Sequence, residues 1–157
     1  MQCLRALCAA EVIAIDPDPE ALKLASDCGA HHILPAGDAM GERVQRITGG
    51  AGAEVVIDFV GEGDAVGSSL AMVRARGTYF VVGYGGELRV PTFNLVLPEI
   101  SVVGNAVGTH DDLRELIALT AAGGVSVRTR SYPLDAFADA IADLEGGRMH
   151  ARGVLVP

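Results

Sequence analysis

The sequence predicts an α/β chain built on a doubly wound parallel sheet, and three observations lead there. Short β-branched runs alternate with longer amphipathic stretches along all 157 residues. Runs such as Val55-Val56-Ile57 and Phe80-Val81-Val82 are apolar without alternation, as strands covered on both faces are. Half of the residues are hydrophobic and 20% are charged, a balance that excludes a disordered segment. Alternating strands and helices joined by right-handed crossovers then give the doubly wound arrangement.

Taken in order, Gln2–Ala9 reads as the end of a helix, with Leu4 and Leu7 on one face. Val12–Asp16 is the first strand. Pro19–Cys28 follows as a helix, because Asp18 can cap it, Pro19 suits its first turn and Gly29 follows its end. His31–Leu34 is a strand and Ala39–Thr48 a helix. Gly49-Gly50-Ala51-Gly52 is a loop entering the strand Glu54–Val60. Next come a helix over Ala65–Ala75, strands over Tyr79–Gly83 and Ile100–Val107, and a helix over Asp111–Ala122. Ala136–Glu145 makes a further helix and Arg152–Val156 a closing strand. The sequence contains neither an internal repeat nor a low-complexity linker, so residues 1–157 are expected to form one domain. A chain of this architecture seldom begins inside a helix, so an upstream segment is expected.

Charge and cysteine usage narrow the function classes. Twelve Lys+Arg stand against 20 Asp+Glu, a formal charge of −8, which argues against a nucleic-acid partner. Lys23 is the only lysine. No apolar run approaches the roughly 20 residues of a membrane span, and Arg5 and Glu11 interrupt the start, where no cleavage site stands out. Cys3, Cys8 and Cys28 are odd in number and lack a C-x-x-C or zinc-knuckle spacing, which predicts a reduced, cytoplasmic protein.

Asp16 ends the strand Val12-Ile13-Ala14-Ile15-Asp16. In a dinucleotide-binding fold an acid there accepts hydrogen bonds from the adenosine ribose, and a glycine fingerprint lies about 20 residues earlier. Counting back passes Met1, so the chain is expected to start too late to include that fingerprint. The other reading of Asp16 is a turn acid before Pro17 that caps the next helix, and the sequence leaves both open. Gly61, Gly63 and Gly67 also follow a strand and open a helix, as a phosphate-binding loop does. Glu62 and Asp64, however, put carboxylates where a pyrophosphate would lie, which favours a tight turn. That carboxyl edge is still where open α/β sheets bind ligands.

Other chemistries find no support. Lys23 has no Walker glycines ahead of it. Tyr79, Tyr84 and Tyr132 have Gly83, Leu88 and Ala136 four residues on, where a short-chain reductase has lysine. Ser68 and Ser69 lack the glycines of a nucleophile elbow. His31, His32, His110 and His150 form no metal-binding pattern.

Several segments together resemble the coenzyme-binding domain of the zinc-type medium-chain dehydrogenase/reductase family. They are Arg5-Ala6-Leu7 with Val12 to Asp16, then Ala25 to Ala30, Thr48 to Gly61, Arg76 to Tyr84, Glu99 to Gly108 and Gly147 to Pro157. The set covers almost the whole chain in order and is most similar to NAD-dependent secondary alcohol dehydrogenases. The resemblance implies a Rossmann-type fold lacking its first strand and glycine loop, with residues 1–157 as an incomplete NAD-binding domain plus a closing segment. It implies that Asp16 holds the ribose and that Phe59, Val60 and Gly61 line the adenine and ribose side. Val82, Gly83 and Tyr84 would lie near the nicotinamide ribose, with Asn105, Ala106 and Val107 on the nicotinamide amide. Arg152 would reach the phosphates.

NAD is the implied cofactor, since a carboxylate at Asp16 repels the 2′-phosphate of NADP and neither Pro17 nor Asp18 balances it. Ala21 departs from the basic residue that many relatives carry. The substrate implied for an intact parent is a small alcohol or carbonyl, and the edge strand Ile100–Val107 implies a homo-oligomer. Zinc would act as a Lewis acid in a catalytic domain whose ligands have no counterpart in this chain. No catalytic residue is assigned here, and the chain alone is expected to be inactive. The rival is a non-catalytic nucleotide-binding or scaffold module of the same fold. A methyltransferase-like domain is disfavoured by the closing strand and the missing early glycines.

In the strand order 3-2-1-4-5-6 the missing strand is the central one, between Val12–Asp16 and Glu54–Val60. With strands about 4.8 Å apart, its loss would leave those neighbours roughly 10 Å apart. Unpaired backbone and apolar faces would then be costly to expose. The isolated chain is therefore expected to be marginal, to re-pair, or to recruit a strand from another chain.

Overall fold

The protein is described by a computed structural model covering residues 1–63 and 65–157. Asp64, one of the two carboxylates noted in the glycine-rich turn, lies outside the described residues. Helices and strands alternate: α1 (Gln2–Leu7), β1 (Ile13–Asp16), α2 (Pro19–Asp27), β2 (His32–Pro35), α3 (Met40–Ile47), β3 (Ala53–Asp58) and α4 (Ala65–Ala71). There follow β4 (Val73–Val81), α5 (Phe93–Val96), β5 (Ser101–Gly104), α6 (His110–Ala121), β6 (Thr129–Pro133), α7 (Phe137–Glu145) and β7 (Arg152–Val156). The strands are hydrogen-bonded in the orders β1-β2, β3-β4-β5 and β6-β7. The pairs β3–β4, β4–β5 and β6–β7 are parallel, so the α/β class expected from the sequence is the class observed. The chain divides into two compact units, one of Met1–Ile33 with His110–Pro157 and one of Leu34–Thr109.

In the Leu34–Thr109 unit, β4 is the central strand, with Val56 opposite Tyr79 on one side and Tyr79 opposite Val102 on the other. Val66 and Leu70, four residues apart on α4, bury themselves with Val73 and Tyr79 to make the core. Val44 of α3 is buried, and α3 packs against α4.

Strand β4 begins earlier than Tyr79, and the helix before it ends at Ala71 instead of reaching Ala75. The reason is pairing: Ala53 N–H donates to the Met72 carbonyl at 2.8 Å, which draws Val73 into the ladder opposite Ala53. The register then jumps from Ala53–Val73 to Val55–Thr78. Arg76 bulges there at φ +60°, its N–H held by the Pro98 carbonyl and its guanidinium by Glu99. Propensity alone could not show this, because Arg74 to Gly77 carry no strand signal.

Three strands stop short of their expected ends. Strand β4 ends at Val81, not Gly83, because the Val82 and Gly83 N–H groups both turn to the Asp58 carbonyl. Strand β3 ends at Asp58, not Val60, because the Asp58 carboxylate takes the next backbone N–H groups. Strand β5 ends at Gly104, not Val107. Asn105 N–H still reaches the Val81 carbonyl at 2.8 Å. Its side chain then turns back to the Val103 carbonyl, and Val107 adopts φ +36°.

In the other unit, α2 starts as the sequence predicts: Pro19 opens it and the Asp18 carboxylate accepts the Glu20 N–H at 2.9 Å. Such a cap contributes about 1 kcal/mol. Leu22 is the buried residue of α2, which packs on β1. Strand β6 was not foreseen, since Thr129-Arg-Ser-Tyr-Pro133 lacks an apolar run, and it exists through its partner β7. Tyr132 is buried there and donates to Asp143 of α7, which also accepts from Arg148 and pairs with Arg130. The Arg148 hydrogen bond, then that from Tyr132, holds the Asp143 carboxyl below its ordinary range.

Candidate functional site

The carboxyl ends of β3, β4 and β5 carry three of the segments singled out in the sequence. Asp58 closes β3 and is 5% exposed. Its carbonyl accepts the N–H groups of Val82 and Gly83 at 2.9 and 3.0 Å. Carboxylate Oδ1 accepts those of Val60 and Gly61 at 2.8 and 3.0 Å, and Oδ2 accepts the Tyr79 hydroxyl at 2.7 Å. Burial opposes a charge on Asp58. The hydrogen bonds from Tyr79, Gly61, Val60 and the Ser69 side chain together outweigh it and hold the carboxyl below its ordinary value. Burial first, then the neighbouring Asp58, pushes the Tyr79 hydroxyl far up.

Beyond Asp58 the chain turns at Gly61, which has φ +61°. A β-carbon on Gly61 would lie 2.2 Å from the Gly83 carbonyl oxygen, and one on Gly83 would lie 2.3 Å from the Val60 carbonyl carbon. Main chain therefore crosses main chain, and Gly86 N–H closes the crossing onto the Gly61 carbonyl at 2.8 Å. The neighbours are left in solvent: Phe59 is 72% and Tyr84 91% exposed, and Val60 and Val107 are exposed too. Thus Phe59, Val60 and Gly61 meet Val82, Gly83 and Tyr84, while Asn105, with Ala106 and Val107 after it, is tied to the end of β4. The Gly61-x-Gly63 stretch is a tight turn whose Gly61 N–H is already taken by Asp58, as the turn reading expects.

Asp16 and Arg152 belong to the other unit. Asp16 ends β1, half-buried, and its Oδ1 accepts the Asp18 N–H at 2.9 Å. One carboxylate oxygen thus serves the turn, while the helix that follows is capped by Asp18 and not by Asp16. Asp18 Oδ2 lies 3.5 Å from His150 Nδ1, a contact the sequence reading did not foresee. Arg152 opens β7 and is exposed, its N–H donating to the Arg128 carbonyl at 2.9 Å.

The residues missed by sequence reasoning are Asp58 and Tyr79. The available signal was an acid ending an apolar run, Val55-Val56-Ile57-Asp58, where a strand tip would otherwise stay apolar. Among the described residues no group of three or more His, Cys, Asp or Glu side chains could hold a metal ion. No helix among them is long and apolar enough to cross a membrane.

A family model described as zinc-binding dehydrogenase matches residues 1–122. An NAD-dependent alcohol dehydrogenase of Sulfurisphaera tokodaii is 31% identical over 161 aligned positions, which take in 100% of this chain and 46% of the relative. One of the same description from Saccharolobus solfataricus is 30% identical, again over 100% of this chain and 46% of the relative. The crystal structure of an alcohol dehydrogenase from Aeropyrum pernix superposes with a TM-score of 0.92 at 38% identity, covering 99% of this chain and 45% of that one. The chain thus spans less than half the length of each of these three relatives.

Proposed function

This chain belongs to the zinc-binding dehydrogenase family, and from that premise we propose that it is the cofactor-binding part of an NAD-dependent alcohol dehydrogenase. The observation that carries the reading is the cluster at the carboxyl ends of β3 to β5, where exposed Phe59, Val60 and Tyr84 flank a main-chain crossing and exposed Val107 follows β5. Ligands of open α/β sheets bind at that edge. Phe59, Val60 and Gly61 would face the adenosine side, Val82, Gly83 and Tyr84 the nicotinamide ribose, and Asn105, Ala106 and Val107 the amide. Asp16 would accept from the ribose hydroxyls and disfavour NADP, and exposed Arg152 would meet the phosphates.

NAD, when bound, supplies the hydride acceptor for an alcohol. The part of this chain is to bind and orient it. The described residues do not fit the zinc that the resemblance assigns to a separate catalytic domain. Residues 1–157 would lie within the cofactor-binding part and its closing segment, and the three free thiols accord with a reducing, cytoplasmic setting.

Calorimetric titration of the purified chain with NAD tests the proposal. Saturable binding with a dissociation constant below about 1 mM, roughly 4 kcal/mol, supports the reading and overturns the expectation that the isolated chain is marginal. Asp16→Asn should weaken it about tenfold or more, since a hydrogen bond to a charged group contributes about 1.5–3 kcal/mol. No saturable binding overturns the reading for this chain. Strand β5 lies at an edge of its sheet, and we propose that two copies pair there. Sedimentation should then show a dimer that Val103→Lys, a charge on the β5 edge, dissociates. A monomeric parent chain removes that part.

A further inference from the structure

We propose that Asp58 is a positioning residue that sets both cofactor-facing loops, its carboxylate fixing the Phe59–Gly61 turn while its carbonyl fixes Val82 and Gly83. The inference deepens the NAD-binding reading and rests on it for the ligand, though not for the loop geometry.

A chain leaving a strand exposes N–H groups with no ladder partner, and such groups ordinarily sample several arrangements with water. Here Oδ1 accepts both the Val60 and the Gly61 N–H, which leaves the turn a single arrangement. The Tyr79 hydroxyl on Oδ2, 2.7 Å away, keeps the carboxylate from rotating out of that position. Tyr79 is 0% exposed and belongs to the core of the sheet, so the anchor is itself immobile. The Asp58 carbonyl accepts from Val82 and Gly83. One buried residue therefore holds both strands' exits, and the exposed side chains of Phe59, Val60 and Tyr84 are displayed from fixed backbone. A ligand meeting such loops loses less freedom on binding than one that must order them.

The test compares Asp58→Ala, Asp58→Asn and a core control, Val44→Ala, in the 157-residue chain. Amide hydrogen exchange at Val60 and Gly61 and NAD titration are followed together. In Asp58→Ala, protection of those two amides should be lost while the Val56 and Tyr79 ladder amides stay protected, and the NAD dissociation constant should rise about tenfold or more. Asp58→Asn should restore most of both, because its carbonyl oxygen can accept the two turn N–H groups while its amide donates to the Tyr79 oxygen. Val44→Ala should lower the melting temperature and leave the dissociation constant unchanged.

The proposal is overturned if Asp58→Ala keeps both turn amides protected, or if Val44→Ala weakens NAD as much as Asp58→Ala does. Should the wild-type chain bind no NAD, the NAD reading fails, and the exchange pattern alone still decides the role of Asp58. If Asp58→Ala does not fold, Tyr79→Phe replaces it. That variant frees Oδ2 and should raise the exchange rates of the two turn amides, while unchanged rates count against the proposal.

Discussion

Gly61→Ala is expected to lower the unfolding free energy by about 3 kcal/mol, adding the left-handed backbone cost to that of an overpacked contact. The new methyl would sit 2.2 Å from the Gly83 carbonyl oxygen at a residue whose φ is +61°. Neither partner can yield, because the Asp58 carboxylate holds Gly61 N–H and the Asp58 carbonyl holds Gly83 N–H. For a chain of this length the melting temperature should fall by on the order of 10 °C. Gly63→Ala is the matched control. Its φ is +53° and, among the described residues, a β-carbon there meets nothing within 4 Å. It should cost only about 1–2 kcal/mol, the conformational part alone. Equal melting temperatures for the two variants would show that the crossing is not as tight as the structure places it.

Tyr79→Ala should be the most damaging core change, at about 3–5 kcal/mol by analogy with other large aromatic truncations. Tyr79 is 0% exposed and packs with Val66, Leu70 and Val73. Tyr79→Phe separates the ring from the hydroxyl. It keeps the packing but leaves the buried Asp58 carboxylate one donor short, which should cost about 1–3 kcal/mol. The two variants also differ from wild type in acid. Asp58 is held below its ordinary value in the folded chain. Its contribution is therefore present above the unfolded carboxyl pKa and is lost as pH falls through the folded one. Removing the Tyr79 hydrogen bond raises the folded pKa, so Tyr79→Phe should begin losing stability at higher pH than wild type. Urea unfolding across the acid range reads both effects, and a Tyr79→Phe curve parallel to wild type would exclude the hydroxyl as a determinant of the Asp58 charge.

The alternation of strands and helices was legible because it rests on local period: Val55-Val56-Ile57 and Phe80-Val81-Val82 announce themselves without any neighbour. The start of α2 was legible for the same reason, since Asp18, Pro19 and Glu20 act within one turn. Strand β6 and the first half of β4 were not, because Thr129 to Pro133 and Val73 to Gly77 become extended only against partners distant in sequence. At the site, the family resemblance points to segments 59–61, 82–84 and 105–107 but not to Asp58, which holds the first two. A carboxylate that organises backbone leaves little mark in composition. Its acceptors and donors are main-chain groups that every sequence has.

The crossing of main chain at Gly61 and Gly83 bears on how this region can change over generations. Where two side chains collide, a second substitution that shrinks one of them can relieve the first, and pairs of positions drift together. Here the obstacle to a side chain at either glycine is the peptide backbone of the opposite turn. That obstacle is the same whatever residue occupies the other position. No exchange at Gly83 can suppress a lesion at Gly61, nor the reverse, so the two sites lack the compensating routes open to the core around Val66 and Leu70. Phe59, Val60 and Tyr84, the exposed positions beside the glycines, meet no such obstacle. The fold thereby keeps fixed the frame of the turns while leaving open what they present.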